Sequence, residues 1–293
     1  MDTRERDYGV KKARTARELE IEAAAARPLR PLNAVLPSGE AILMLARRGL
    51  HPSKSRLDLP FPENLEEGKA TRLSQLLDHY GFRLFLRGAI LHPEGFAPEE
   101  ATKYVKPAQS TAYAESVVEL GLAARTSRGC YRLLGSAKNF GGILEWYVAR
   151  ELGRRFGFDV VRSVKFHTHS VGGDLDVVAT AEGKLVYLEL KSSPPKHLAV
   201  GEVGAFFDRM IMLRPDVTLF VVDTALRLGD KVLPMLVTEL EHRRGGAAVT
   251  PRRVVRELWA LTPHLYAVNA KVDLMANIGR ALGEGLLALS PKL

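Results

Sequence analysis

Apolar positions along the chain follow two periods, and the change from one to the other divides it. In the first half they recur at helical spacing. Residues 40–49 (EAILMLARRG) form a short amphipathic pattern stopped by Gly49. Leu73, Leu76 and Leu77 predict a helix over 65–80, with Gly81 as its C-cap. The run 51–64 (HPSKSRLDLPFPEN) between them is rich in turn residues and reads as a surface loop. APEEATKYV predicts a short helix broken at Pro107, and QSTAYAESVVELG a second, with Ser110 or Thr111 as N-cap and Gly121 just past its end. LAARTS and CYRLL follow as two short strands about Arg128-Gly129.

From Ser136 the texture changes. NFGGILEWYVARELGRRFGF places Ile143, Tyr147, Val148 and Leu152 on one helical face and ends at Gly157. DVVRSVKFHTHS, LDVVATA and KLVYLELKSS then read as three strands, the last two joined by a hairpin turn in which Gly183 suits a positive φ. A helix over roughly 199–213 and the apolar strand VTLFVVD come next. A helical stretch near 226–243, a strand LYAVNA at 265–270 and an amphipathic helix from Asp273 to Leu289 close the pattern. The order helix, three strands, helix, strand predicts an α/β fold with a mixed sheet. A chain of 293 residues exceeds the usual span of one domain, roughly 100–200 residues. The expected division is 1–135 and 136–293.

Composition changes this picture only in part. An apolar fraction of 46% supports a sizeable core, and a formal charge of +8 favours a polyanionic partner. Residues 1–30, rich in Arg, Lys, Glu and Ala, predict a solvated helix or a loosely packed arm, followed by a linker carrying Pro28, Pro31 and Pro37. The single cysteine, Cys130, excludes an intramolecular disulfide and a multi-cysteine zinc site. The charged first residues hold no apolar signal segment, and no apolar run reaches the roughly 18–20 residues of a membrane span. A cytoplasmic location with no membrane partner is expected.

Helix, turn, helix and a two-stranded hairpin, over about 65–134, is the order of a winged helix. Such a module can lay its second helix in the DNA major groove and its wing on the backbone. Arg125, Arg128 and Arg132 would then contact phosphates. Glu115 and Glu119 on the second helix count against DNA contact, and a docking or dimerisation module fits nearly as well.

The chemistry concentrates on Glu145, Asp176, Glu189 and Lys191. Glu189 and Lys191 are two apart on one strand and share a face. Counted back from the hairpin turn, Asp176 can lie beside Glu189 on the neighbouring strand. Charges next to core-type strands are costly unless paired or bound to a metal. Mg²⁺, which takes one or two carboxylates plus water and phosphate, suits such a set. A plain salt bridge from Lys191 to Glu189 or Asp176 is the simpler alternative.

From Gly141 to about Asp223 the sequence resembles the PD-(D/E)XK nuclease superfamily, closest in pattern to Holliday-junction resolvases and modification-dependent restriction enzymes. An acidic residue on a helix, an aspartate opening the second strand and E-x-K on the third carry the resemblance. They match Glu145, Asp176, and Glu189 with Lys191. Leu175 stands where the family has proline. The resemblance implies a restriction-endonuclease-like α-β-β-β-α-β core behind a mainly helical N-terminal region. It further implies DNA cleavage with Mg²⁺, Mn²⁺ substituting. Asp176, Glu189 and the Leu190 backbone carbonyl would hold the metal, Glu145 would support it, and Lys191 would position or help deprotonate the attacking water. Asp174 is a second candidate carboxylate, and the sequence leaves the choice between it and Asp176 open.

Lys196 and Ser192, just past E-x-K, are candidate backbone contacts, although a solvated loop is the simpler reading of them; the basic group Arg154, Arg155 and Arg162 could serve DNA and reads at least as well as ordinary surface. His167 and His169 share a face but suit Mg²⁺ poorly. Glu202 or Asp208 could reach the site from the next helix, and Trp146 reads as core filler. The leading expectation is a DNA endonuclease, an RNA substrate remaining open and a homodimer being the usual arrangement for cutting two strands. The alternatives are a non-catalytic DNA-binding or scaffold protein on the same fold, or a winged-helix transcription regulator.

Overall fold

A computed structural model of the chain describes residues 39–50, 52–54, 57–126, 129–166 and 174–290. The arm and linker expected before residue 39, Arg128, His167 and His169 lie outside the described residues. Residues Ser38–Leu293 cluster as one compact unit.

Its centre is an eight-stranded mixed sheet in the order β1-β4-β5-β6-β7-β10-β9-β8. The strands are β1 (Pro52–Lys54), β4 (Asp159–Phe166), β5 (Leu175–Ala181), β6 (Lys184–Lys191), β7 (Val217–Val222), β8 (Arg252–Val255), β9 (Leu258–Thr262) and β10 (Leu265–Asn269). β2 (Ala123–Arg125) and β3 (Tyr131–Leu133) form a separate antiparallel hairpin. β4, β5 and β6 pair antiparallel, whereas β7 runs parallel to both β6 and β10.

The parallel pairs need both faces covered, and the strands show it. All six residues of β7 are buried. Val217, Leu219 and Val221 join one core with α6 (Gly141–Phe156) and α9 (Leu274–Ala288), while Phe220 and Val222 join the other with α7 (Val200–Leu213) and α8 (Val232–Arg243). α1 (Glu40–Arg47) packs on the second face, and the Asp159 carboxylate of β4 accepts its Ala41 amide at 2.7 Å. The first core continues into α2 (Glu67–Asp78), α3 (Tyr80–Ile90), α4 (Pro98–Ala101) and α5 (Pro107–Glu119). Among the described residues no helix is long and apolar enough to cross a membrane.

Several local expectations are corrected. Gly81 caps nothing: α2 ends at Asp78, and Gly81 is the second residue of α3. Phe82, Phe85, Leu86, Ala89 and Ile90 form a buried stripe at helical spacing, which draws this segment into the core. Ser110 and Thr111 are not N-caps, because α5 starts at Pro107, whose missing N–H costs nothing at the first helical position. The stretch 51–64 is more than a loop. β1 covers the edge of β4, Leu57 and Phe61 are buried, and Phe61 meets the Trp146 ring edge-on at 5.2 Å. The helix expected over 226–243 begins only at Val232, and β8 and β9, which carry no clear alternation, complete the sheet.

α3 and α4 touch so closely that only glycine fits at the crossing. A Cβ on Gly88 would fall 1.6 Å from the Ala101 carbonyl oxygen, so a side chain must force the two backbones apart. Gly88→Ala should cost about 3 kcal/mol as an overpacking change. That corresponds to a melting temperature lower by about 5–10 °C at the sensitivity usual for this size. Differential scanning fluorimetry reads it directly, and an unchanged melting temperature would refute the close crossing.

Candidate active site

β5 and β6 are joined by a turn in which Glu182 (φ 53°) and Gly183 (φ 70°) are both left-handed, the geometry of a tight hairpin. The turn sets the register, with Ala181 opposite Lys184 and Val177 opposite Leu188. One step further the same register brings Asp176 to Glu189. There the side chain takes over from the ladder: Asp176 Oδ2 accepts the Leu190 amide at 2.6 Å. On its other side β6 pairs with β7, and the Asp223 amide donates to the Lys191 carbonyl at 2.9 Å.

Glu189 is 2% exposed and its carboxylate is heavily occupied. Lys191 Nζ lies 2.9 Å from Oε1, and Arg209 Nη2, reaching from α7, donates to the same oxygen at 2.7 Å. The Tyr187 hydroxyl donates to Oε2, and Arg209 Nε donates to the Tyr187 oxygen at 3.0 Å. Burial, and after it the Glu189 charge, pushes the Tyr187 phenol well above its usual range, so it stays a donor. Lys191 also reaches Glu202 of α7 at 3.2 Å. Burial works to lower the Lys191 ammonium, but Glu189, Asp176 and Glu202 outweigh it and hold it above the usual lysine value.

Glu145, in the second turn of α6, accepts the Ser163 hydroxyl at 2.5 Å. Ser163 sits in β4 with φ 49°, a conformation that costs a residue with a Cβ and tends to occur where a side chain must be aimed. Burial is the main cause that lifts the Glu145 carboxyl to about 7, with the charges of Asp174 and Glu189 adding to it and Ser163 and Arg162 opposing. Asp176 is likewise pushed well above the ordinary aspartate value, by burial first and then by Glu189 and Glu145. Asp174 is different. Its side chain is 40% exposed and pairs with Lys165 at 3.4 Å.

Glu145, Asp176, Glu189 and Lys191 thus influence one another across α6, β5 and β6. Asp174 stands at the rim. Among the described residues no three His, Cys, Asp or Glu side chains are close enough to enclose a metal by themselves. The donors do fit sparser ligation. Asp176 Oδ1 and Glu145 Oε1 accept no hydrogen bond from the described residues, and both are hard oxygens in half-buried, mutually repelling carboxyl groups. Mg²⁺ needs no more than one or two such ligands, the rest being water and substrate phosphate.

The other candidates fall elsewhere. Arg125 is paired with Glu115 of α5, which also accepts from Tyr131, and Arg132 is exposed on β3. Lys196 is exposed in the 3-10 turn Pro195–His197, where its carbonyl accepts Lys231 Nζ at 2.9 Å. No hydrogen bond or ion pair among the described residues joins these three to the carboxylates. Arg154 and Arg155 pair with the buried Glu151, and Arg162 with Glu63. Sequence reasoning missed Tyr187 and Arg209. Tyr187 could have been found, being two residues before Glu189 on the same face of β6. Arg209 lies three residues after Phe206, whose ring stacks on Tyr187 at 6.0 Å, so a basic residue in an apolar helix was the signal. Nothing in the sequence marks Ser163.

No protein-family model matches the chain, and no curated protein does. Among solved structures it is similar to protein VC1899 from Vibrio cholerae, with 12% identity over 84% of this chain and 62% of that one, at a TM-score of 0.49. It is also similar to Can2 from Sulfobacillus thermosulfidooxidans in complex with cyclic tetra-adenylate, with 15% identity over 84% and 60%, at a TM-score of 0.42. The chain spans less than two thirds of the length of either.

The raised Glu145 carboxyl makes stability depend on pH. The folded chain holds this proton more tightly than the unfolded one, so the group's contribution is fully present below its ordinary 4.5 and is lost as pH rises through about 7. Glu145→Gln, measured in EDTA, should therefore melt higher than the parent at pH 8 and lose most of that advantage at pH 5. An equal difference at both pH values would show that the carboxyl is not perturbed.

Proposed function

We propose that the chain is a Mg²⁺-dependent nuclease that hydrolyses phosphodiester bonds in DNA, with Mn²⁺ as a substitute. The observation that carries this reading is the convergence of Asp176, Glu189 and Lys191 where β5 and β6 pass each other, with Glu145 in electrostatic contact. Half-buried acids whose pKa values are raised by burial and by neighbouring carboxylates, as for Glu145 and Asp176, are costly in a purely structural role and favour a cation-binding one. Asp176 with Glu145 or Glu189 would hold the ion, the Leu190 carbonyl adding a ligand. When bound, Mg²⁺ supplies a Lewis acid that activates water and offsets phosphate charge.

The chain's own groups have separable tasks. Lys191 is an ammonium fixed by Glu189 and Glu202 and held protonated at neutral pH. That makes it a donor to a phosphate oxygen, stabilising charge that develops in the transition state, rather than a base. Asp176 is oriented at the strand end by its bond from the Leu190 amide. Residues 136–293 are read as the nuclease domain. α4, α5 and the β2–β3 hairpin are read as a winged-helix module in which Arg125, Arg128 and Arg132, with Lys196 beyond it, meet the backbone.

One observation favours a second reading. Glu189 is already neutralised by Arg209 and Lys191, as it would be in a non-catalytic DNA-binding or scaffold protein.

Cleavage assays separate the two. The parent, Lys191→Ala and Asp176→Asn would be incubated with linear duplex, single strand, flap and four-way junction in Mg²⁺, Mn²⁺ or EDTA. Asparagine keeps an acceptor for the Leu190 amide, so folding is retained. The nuclease reading expects metal-dependent cutting by the parent, reduced by about 10²-fold or more in each variant. Binding without cutting in every metal condition would discard it in favour of the scaffold.

A further inference from the structure

The Glu189 carboxylate has about four acceptor positions, and three are taken by groups of this chain: Lys191 and Arg209 on Oε1 and Tyr187 on Oε2. Two of the three donors are not part of the E-x-K pattern. Arg209 is 7% exposed and Tyr187 fully buried, and they are bonded to each other, so they grip the carboxylate from the interior. Phe206 stacked on Tyr187 fixes the ring, and Arg209 on the same helix face has little room to leave. A fixed guanidinium at 2.7 Å takes a share of the charge neutralisation that a metal and Lys191 would otherwise divide between them.

We propose that Arg209, with Tyr187, is a positioning residue that orients Glu189 and competes with the metal for its charge, so that it sets the metal affinity of the site. This rests on the nuclease reading above. A guanidinium beside a carboxylate reduces that carboxylate's attraction for a second cation, and removing it restores the attraction. The same removal frees Glu189 to rotate, which misaligns Lys191 on Oε1. Binding and catalysis should therefore move in opposite directions, whereas loss of a purely structural contact would weaken both.

The test is isothermal titration of the full chain with Mn²⁺ alone, without nucleic acid, paired with single-turnover cleavage at saturating metal. Arg209→Met should bind Mn²⁺ about tenfold more tightly, a modest share of the Coulomb interaction of a close pair, and cut about tenfold more slowly. Arg209→Lys should retain the weaker, parent-like affinity. Tyr187→Phe, which keeps the ring and the fold, should tighten binding about two- to threefold and stands in if Arg209→Met does not fold. On a Glu189→Gln background the gain from Arg209→Met should vanish. Unchanged or weaker Mn²⁺ binding in folded Arg209→Met or Tyr187→Phe, or a gain that persists without Glu189, overturns the proposal while leaving the nuclease reading intact. A parent that neither binds Mn²⁺ nor cuts removes both.

Discussion

A carboxylate at the end of an apolar strand must be neutralised by something, and much of the second core face is arranged around that requirement for Glu189. Its neighbours on β6 and β7 are Leu188, Leu190 and Phe220, all buried. Leaving such a charge unpaired costs several kcal/mol, to order of magnitude. Arg209, Tyr187 and Lys191 meet the cost together. Their geometry in turn fixes how α7 lies on the sheet, because Phe206 and Arg209 must both face Tyr187. Packing and electrostatics are here one constraint: the stacked ring holds the hydroxyl, and the hydroxyl holds the acid.

The other carboxyls show the opposite solution. Among the described residues no guanidinium is hydrogen-bonded to Glu145 or Asp176, and their pKa values rise despite the more distant Arg162 and the Lys191 ammonium. A protein that needed only stability would do better with apolar residues at these positions. Retained acids with shifted pKa values, an aimed Ser163 in a left-handed conformation and an ammonium held by two glutamates are physically consistent with a site that handles charge.

A second buried ion cluster lies just beyond. Asp223 is fully buried, and its two oxygens accept Arg83 Nε and Arg87 Nη2 of α3, each at 2.9 Å. Its amide is the group that holds the Lys191 carbonyl. Two bonds thus separate the helical region from the strand end that presents Lys191. Arg83 also donates to the Leu77 and Asp78 carbonyls at the end of α2. The helices that precede the sheet in the chain are keyed to it by directional bonds as well as by shared apolar surface.

How much of this was legible in the sequence follows from the range of each interaction. Glu189 and Lys191 share a face because a strand alternates. Asp176 lies beside Glu189 because a two-residue turn leaves one register. The faces of α6 and α9 follow from 3.6-residue periodicity. All of these are local rules, written within a few residues, and the sequence by itself determined them. The tertiary structure decided what local rules do not reach. α3 escaped because Gly81 looked like an end, whereas burial of Phe82, Phe85 and Leu86 against distant residues made it a helix. β1 and β8 are strands because β4 and β9 offer them edges. Arg209 stands 20 residues from Glu189, and Arg83 stands 140 residues from Asp223. Which charge neutralises which is settled only when the sheet brings them together, since the desolvation that makes the pairing necessary exists only in the folded core.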